Sequence, residues 1–189
     1  HDNFTLLMRD IRQAIGKNKL LTMASVASAQ YVNFRAILND IDFVNIMSYD
    51  MANAPKHHSG LYRANITGWL TCDEAVKAHI DSGVPAGRLV LGMPFYGRGG
   101  KLLSNRDFRD IDLNGEYTEH WNDTAKVPYL TNKDGIMVLG FDNVRSLSIK
   151  CEYILDKGLL GGMYWEYAGD NDNADLARTV YEGIMKSSK

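Results

Sequence analysis

The stretch that decides the fold is DFVNIMSYDM, Asp42 to Met51. Its Phe, Val and Ile content reads as a buried β-strand. The strand does not stop at a turn residue, however, but runs through Met47 into Tyr49 and Asp50. An ionisable pair at the C-terminal end of a buried strand needs a partner, and the neighbouring segments say what kind. LLTMASVA (20–27), RLVLGMPFY (88–96) and LLGGMYWEY (159–167) are further apolar runs of strand length. Helical patterns alternate with them. Residues 2–17 place Phe4, Leu7, Met8, Ile11 and Ile15 at helical spacing, and YVNFRAILND (31–40) reads as a brief helix. A third helix spans 71–83, with Thr71 or Asp73 as N-cap and Gly83 as C-cap. A fourth spans 141–158, with Asp142 or Asn143 and Gly158 in the same roles, and a last one spans 173–187.

Alternating helices and continuously apolar strands mean a parallel sheet covered by helices. The strands end in SYD, YGR and WEYAGD. Reactive groups at the C-terminal ends of parallel strands are what a (β/α)8 barrel displays. A doubly wound sheet is the competitor, but no strand-to-helix turn here carries GxGxxG or GxxxxGK. GRGGK (97–101) comes nearest and opens an irregular segment instead of a helix. That segment, with GEYTEHWNDTAKVPYL and DGIMVLGF, alternates and is rich in turn residues. It reads as a small α+β insertion between the third strand and its helix. The expected division is barrel over 1–98, insertion over 99–140 and barrel over 141–189. A closed barrel needs about eight strands, and only four are legible.

Composition narrows the function classes. Of 189 residues 45% are hydrophobic and 23% charged, with a formal net charge of −2, so no broad basic surface argues for nucleic acid. No apolar run reaches the roughly 18 residues of a membrane-spanning helix. The start, HDNFTLLMRDIRQAIGKN, is an amphipathic helix pattern with no visible signal peptide. Cys72 and Cys151 lack CxxC spacing and companion histidines, so packed thiols are expected before a disulfide or a zinc site.

The strand ends resemble one family, the chitinases of glycoside hydrolase family 18. FVNIMSYDM is similar to its sixth strand, LVLGMPFYGRG to its seventh and GGMYWEY to its eighth. LLTMA is similar to the fifth strand, and NFTLLMRDIR to the helix after the fourth. YTEHWNDTAKVPYL followed by FDNVRSL resembles the insertion and its return to the barrel. The family signature DxxDxDxE, whose last Glu is the general acid, does not occur here, and the resemblance places it just upstream of His1. The implied fold is therefore α/β, about the second half (strands 5–8) of a (β/α)8 TIM barrel, with an α+β insertion between strand 7 and its helix. Its outer strands would pair with the missing N-terminal half of the barrel or with another copy of the chain.

The resemblance implies hydrolysis of β-1,4-linked N-acetylglucosamine polymers, chitin or its oligosaccharides, with retention and by substrate assistance. The sugar's own acetamido oxygen attacks the anomeric carbon, so the protein must orient an amide and stabilise positive charge. Tyr49 and Asp50 are the implied catalytic pair; packing for Tyr49 and a loop-capping role for Asp50 are the plain alternatives. Met47 would sit under the acetamido methyl or simply fill the core. Trp165 would floor the −1 sugar or pack internally. Tyr96 and Arg98 would line the sugar subsites, with a salt bridge to the insertion the alternative for Arg98. Trp121 would stack on a further sugar or pack inside the insertion. Glu166, next to Trp165, is expected on the opposite side of the strand, in the helix layer with a salt-bridge partner. Asn53, His57 and His58 are expected in a solvated loop. No metal and no cofactor are implied, and the family context implies secretion to an extracellular or periplasmic place. A non-catalytic chitin-binding lectin on the same barrel, or a peptidoglycan or glycoprotein-glycan hydrolase, are the other readings. The 189 residues alone are expected to be inactive for want of the acid.

Overall fold

The four apolar runs form one parallel sheet in a computed structural model that describes residues 2–112 and 115–186. β1 (Thr22–Val26) pairs with β2 (Phe43–Met47), Thr22 opposite Phe43 and Val26 opposite Met47. β2 pairs with β3 (Leu89–Pro94), and β3 with the last strand, β9 (Gly161–Trp165), Pro94 opposite Trp165. Every residue of β3 is buried, as a central parallel strand should be. The run read as one strand over 88–96 divides at Phe95. Phe95 N–H still donates to the Trp165 carbonyl at 2.7 Å, and the chain then leaves for a second sheet.

Three of the helices begin where short polar side chains satisfy free backbone N–H groups. α1 (Asp2–Ile15) buries Met8 and packs Phe4 and Ile11 on the core, whereas Leu7 stays half exposed. α2 is the brief Phe34–Ile37 turn, capped by the Asn33 side chain. α3 (Cys72–Asp81) starts on a capping box, Thr71 with Glu74, so Thr71 rather than Asp73 is the cap. α4 (Val144–Asp156) does the same with Asn143 and Ser146. Gly83 and Gly158 follow these two helices at φ +103° and +61°. They supply the left-handed step that ends a helix. The closing helix, expected over 173–187, is α5 (Asp175–Tyr181) continued by a π-helical turn, Glu182–Lys186; residue 187 lies outside the described residues.

Five strands between Tyr96 and Gly140 build an antiparallel sheet in the order β5-β4-β8-β7-β6. Its strands are β4 (Tyr96–Gly99), β5 (Arg106–Asp107), β6 (Thr118–Asn122), β7 (Val127–Thr131) and β8 (Met137–Gly140). A 3-10 turn spans Phe108–Asp110. Leu130, Val138, Leu139 and Phe141 form a core of their own, separate from the main core under the parallel sheet. Cys72 and Cys151 are both free and buried. Burial raises each thiol to about 11, so neither is a thiolate at neutral pH. Among the described residues no helix is long and apolar enough to cross a membrane, and no His, Cys, Asp and Glu cluster is arranged to hold a metal.

Candidate active site

The end of β2 is fixed by a side chain that continues the ladder. Ser48, fully buried, donates its hydroxyl to the Gly92 carbonyl at 2.8 Å and accepts the Gly92 N–H at 3.1 Å. Gly92 has to be glycine. A Cβ there would lie 2.2 Å from the Ile46 carbonyl and 2.9 Å from Cε1 of Tyr49. The bare backbone thus leaves room for the Tyr49 ring above β3. One residue on, Asp50 adopts φ +61°, a left-handed step that Asp tolerates better than most residues. The chain bends there, and the carboxylate swings over to β4.

On β4, Tyr96 and Arg98 share a face by strand alternation and both reach Asp50. Tyr96 donates its hydroxyl to Asp50 Oδ1 at 2.6 Å. Arg98 forks onto both oxygens, Nε to Oδ1 at 2.7 Å and Nη2 to Oδ2 at 2.5 Å. The salt bridge expected as an alternative for Arg98 therefore forms, but with Asp50 and not with an acid of the insertion. Burial by itself would raise the Asp50 carboxyl. The hydrogen bonds from Arg98 and Tyr96 and the charge of Arg98 outweigh that and hold it well below the usual carboxylate range. Tyr49 stands edge-on to Tyr96, ring centres 6.2 Å apart. Burial, and then the Asp50 charge, raise its phenol, so Tyr49 keeps its proton and remains a donor. Its hydroxyl has no hydrogen-bond partner among the described residues.

A cleft of about 620 Å³ brings these residues together: Met47, Tyr49, Asp50, Tyr96, Arg98 and Trp165 all line it. Trp165 is 58% exposed and presents its indole to the cleft. Behind it Tyr164 stacks on Phe95, centres 4.4 Å apart and planes within 8°. Asn105, Arg106, Asp107 and Asp110 of the insertion form the opposite wall. Burial of large apolar faces beside a few aimed polar groups is the usual make-up of a ligand site.

Two expectations are corrected. Glu166 is exposed and lines the cleft; it is not packed in the helix layer, and its carboxyl makes no ion pair among the described residues. The strand ends at Trp165, so alternation does not extend to its neighbour. His57 and His58 are not solvated: both are buried, because the loop that holds them folds under the insertion. His57 rests edge-on against Tyr129 of β7, while His58 packs on Tyr96 at 5.4 Å. Asn53 alone of the three is exposed. Trp121, expected either at a further sugar or packed inside the insertion, lies on β6 with the Arg145 guanidinium 3.9 Å above its ring and is not among the residues that line the cleft.

Sequence reading also passed over Trp69. It is 60% exposed and lines a smaller hollow of about 230 Å³ with Val26, Ala27, Met47, Tyr49 and Asp50. The last three residues belong to both hollows, which therefore adjoin. Gly68 makes this placement possible, since a Cβ there would meet the Met51 carbonyl at 2.1 Å. Trp69 N–H then donates to that carbonyl at 3.1 Å. A lone Trp after Asn-Ile-Thr-Gly carries no periodic signal that would have revealed it.

Known proteins share this sequence and fold. The sequence profile of the Glycosyl hydrolases family 18 matches residues 1–170. Chitinase A1 of Niallia circulans is 36% identical over 218 residues, covering 90% of this chain and 31% of that protein. Chitinase ChiA74 from Bacillus thuringiensis superposes with a TM-score of 0.87 at 30% identity, over 98% of this chain and 40% of its own. A family 18 N-acetylglucosaminidase from Paenibacillus barengoltzii gives a TM-score of 0.85 at 30% identity, over 96% of this chain and 63% of its own. The chain thus spans less than two thirds of the length of each relative. The parallel strands with reactive ends, the antiparallel insertion and the profile match over most of the sequence agree: this chain belongs to the glycosyl hydrolases of family 18.

Proposed function

We propose that this chain forms the acetamido-binding side of a chitinase site that hydrolyses β-1,4-linked N-acetylglucosamine polymers with retention. The observation that carries this reading is the convergence of Tyr49, Asp50 and Trp165, from two different strands, on one cleft. In it the Trp165 indole stacks on the apolar face of the sugar that bears the scissile bond. The Tyr49 hydroxyl, a donor without a partner among the described residues, hydrogen-bonds the acetamido carbonyl. Asp50, held ionised, accepts the acetamido N–H and stabilises the oxazolinium cation formed when that carbonyl oxygen displaces the leaving sugar. Met47 lies under the methyl group. Tyr96 and Arg98 align Asp50 and border the sugar, and Trp69 supplies an apolar platform in the adjoining hollow. The proton for the leaving group is assigned to no residue of this chain, which lacks DxxDxDxE. Residues 1–98 and 141–189 act as barrel and 99–140 as the insertion that deepens the cleft. A polymer of this kind is met outside the cytoplasm, so the reading includes an extracellular or periplasmic place of work.

The test is turnover of chitooligosaccharides by the protein made from its complete gene, with the product anomer read by NMR. Expected are a β-anomeric first product and a loss on the order of a hundredfold in kcat for Tyr49→Phe and Asp50→Asn. An inverted anomer, or full activity in both variants, overturns the reading. Binding without any turnover would make the protein a chitin-binding lectin instead.

A further inference from the structure

His58 is a fully buried imidazole immediately behind Asp50. Two consecutive N–H groups at the bend donate to it: Asp50 N–H to His58 Nδ1 at 3.3 Å, and Met51 N–H to the His58 carbonyl at 3.0 Å. Its ring rests on Tyr96, which itself donates to Asp50. The loop behind is anchored on both sides: the Ser59 carbonyl accepts from Lys150 Nζ at 2.8 Å, and the Ser59 hydroxyl donates to Asp142 Oδ2 at 2.5 Å.

We propose that His58 is a positioning residue for Asp50, its unprotonated Nδ1 holding the Asp50 amide in the left-handed bend that aims the carboxylate into the cleft. This rests on the hydrolase reading above, in which that carboxylate meets the acetamido group. The tautomer follows from the geometry. A proton on Nδ1 would face the Asp50 N–H donor to donor, so the ring carries its proton on Nε2. Nε2 is indeed left without a hydrogen-bond partner among the described residues. A polar atom buried in that way persists when the opposite tautomer would cost more. Asp50 Oδ1, 3.7 Å from Nδ1, is too distant to take a hydrogen bond in place of the amide.

The charged and titratable groups around the ring are Asp50 beside Nδ1, Tyr96 on β4, Asp142 and Lys150 behind the loop, and His57 next in sequence. Burial lowers His58, while Asp50 and Asp142 work the other way. Burial thus favours the neutral imidazole, whose Nδ1 accepts the Asp50 N–H, and protonation would replace the acceptor by a donor and release the bend. His58 does not touch the sugar; it acts through Asp50.

Two independent measurements test this in the protein made from its complete gene. Nitrogen-15 NMR of the histidines is expected to show Nδ1 of His58 unprotonated and Nε2 protonated at neutral pH, with a coupling from Nδ1 to the Asp50 amide. A protonated Nδ1 would overturn the proposal whether or not the protein is a hydrolase. For turnover, His58→Phe keeps a ring against Tyr96 but removes the acceptor. Its kcat on chitooligosaccharides should fall tenfold to a hundredfold, on the order expected for a misplaced catalytic group, with KM nearly unchanged. His58→Asn, whose Oδ1 can take the place of Nδ1, should recover most of kcat. Equal kcat in wild type and His58→Phe, or equal losses in both variants, would also overturn it. If the parent turns over no chitooligosaccharide, the hydrolase reading fails and the NMR result alone decides on His58. The same spectra decide if His58→Phe does not fold.

Discussion

The Arg98 guanidinium grips the Asp50 carboxylate with two parallel hydrogen bonds, Nε to Oδ1 at 2.7 Å and Nη2 to Oδ2 at 2.5 Å, across 48 residues of sequence. A planar fork meeting a planar carboxylate fixes direction as well as charge. It joins the parallel sheet to the antiparallel sheet, since Asp50 follows β2 and Arg98 lies on β4. The site is thus assembled at the junction of two separately packed units.

Arg98→Ala should free the carboxylate without unfolding the protein, because the pair is partly exposed and such pairs add little stability. The Asp50 carboxyl should titrate at a higher pH than in wild type, and kcat should fall on the order of tenfold or more. Arg98→Lys should not restore it, since an ammonium cannot fork. Carbon-13 titration of Asp50 alongside kinetics checks both; an unmoved carboxyl titration would contradict the fork as its determinant.

Trp165→Ala should weaken chitooligosaccharide binding by roughly 1–3 kcal/mol, on the scale of the loss when an aromatic side chain that stacks a nucleobase is cut to alanine, and leave the melting temperature nearly unchanged. The indole is 58% exposed, so little core packing is lost. Trp121→Ala should do the reverse: it removes the ring under Arg145 and leaves binding intact. Calorimetric titration together with thermal melts separates the two.

Gly92→Ala places a methyl group against the Ile46 carbonyl and the Tyr49 ring. Overpacking of this kind costs about 1–3 kcal/mol, and here it should also tilt Tyr49. Urea unfolding should show the loss, and kcat should fall even where the variant is fully folded. A variant with normal stability and normal kcat would mean that β2 and β3 separate more easily than their contacts indicate.

Lys150 and Asp142 form a fully buried pair at 2.7 Å, and Asp142 also accepts from the hydroxyls of Ser59 and Ser146. Lys150→Met leaves that carboxylate buried without its cation, a change worth about 3–5 kcal/mol. Replacing Asp142 by Leu in the same molecule should return part of the loss, because the uncompensated charge is gone. Denaturant midpoints of the single and double variants measure it.

Stability should fall in mildly acidic solution through His57. Burial lowers its imidazole to about 4 from 6.5, against the opposing pull of Asp142. Below pH 6.5 the unfolded chain takes up a proton that the folded chain refuses until about pH 4, so stability is fully present above 6.5 and is lost on the way down. The full effect is about 3 kcal/mol. His57→Gln should flatten the stability–pH curve between those limits, and an unchanged slope would assign the acid sensitivity to other groups.

Much was legible in the sequence because its signals are local. Continuous apolar runs announced β1, β2, β3 and β9, short polar residues narrowed the caps to Thr71 or Asp73 and Asp142 or Asn143, and glycines announced the helix ends at Gly83 and Gly158. The strand ends SYD, YGR and WEY named Tyr49, Asp50, Tyr96, Arg98 and Trp165 as residues that a parallel sheet would present on one side. Tertiary structure alone decided their partners. Which acid Arg98 grips, whether His57 and His58 meet water, where Glu166 faces and which tryptophans border the cleft depend on surfaces that are distant in the chain and meet only when the sheets pack. Periodicity reports which side of an element is apolar. It carries no information on what another element, dozens of residues away, will lay against that side.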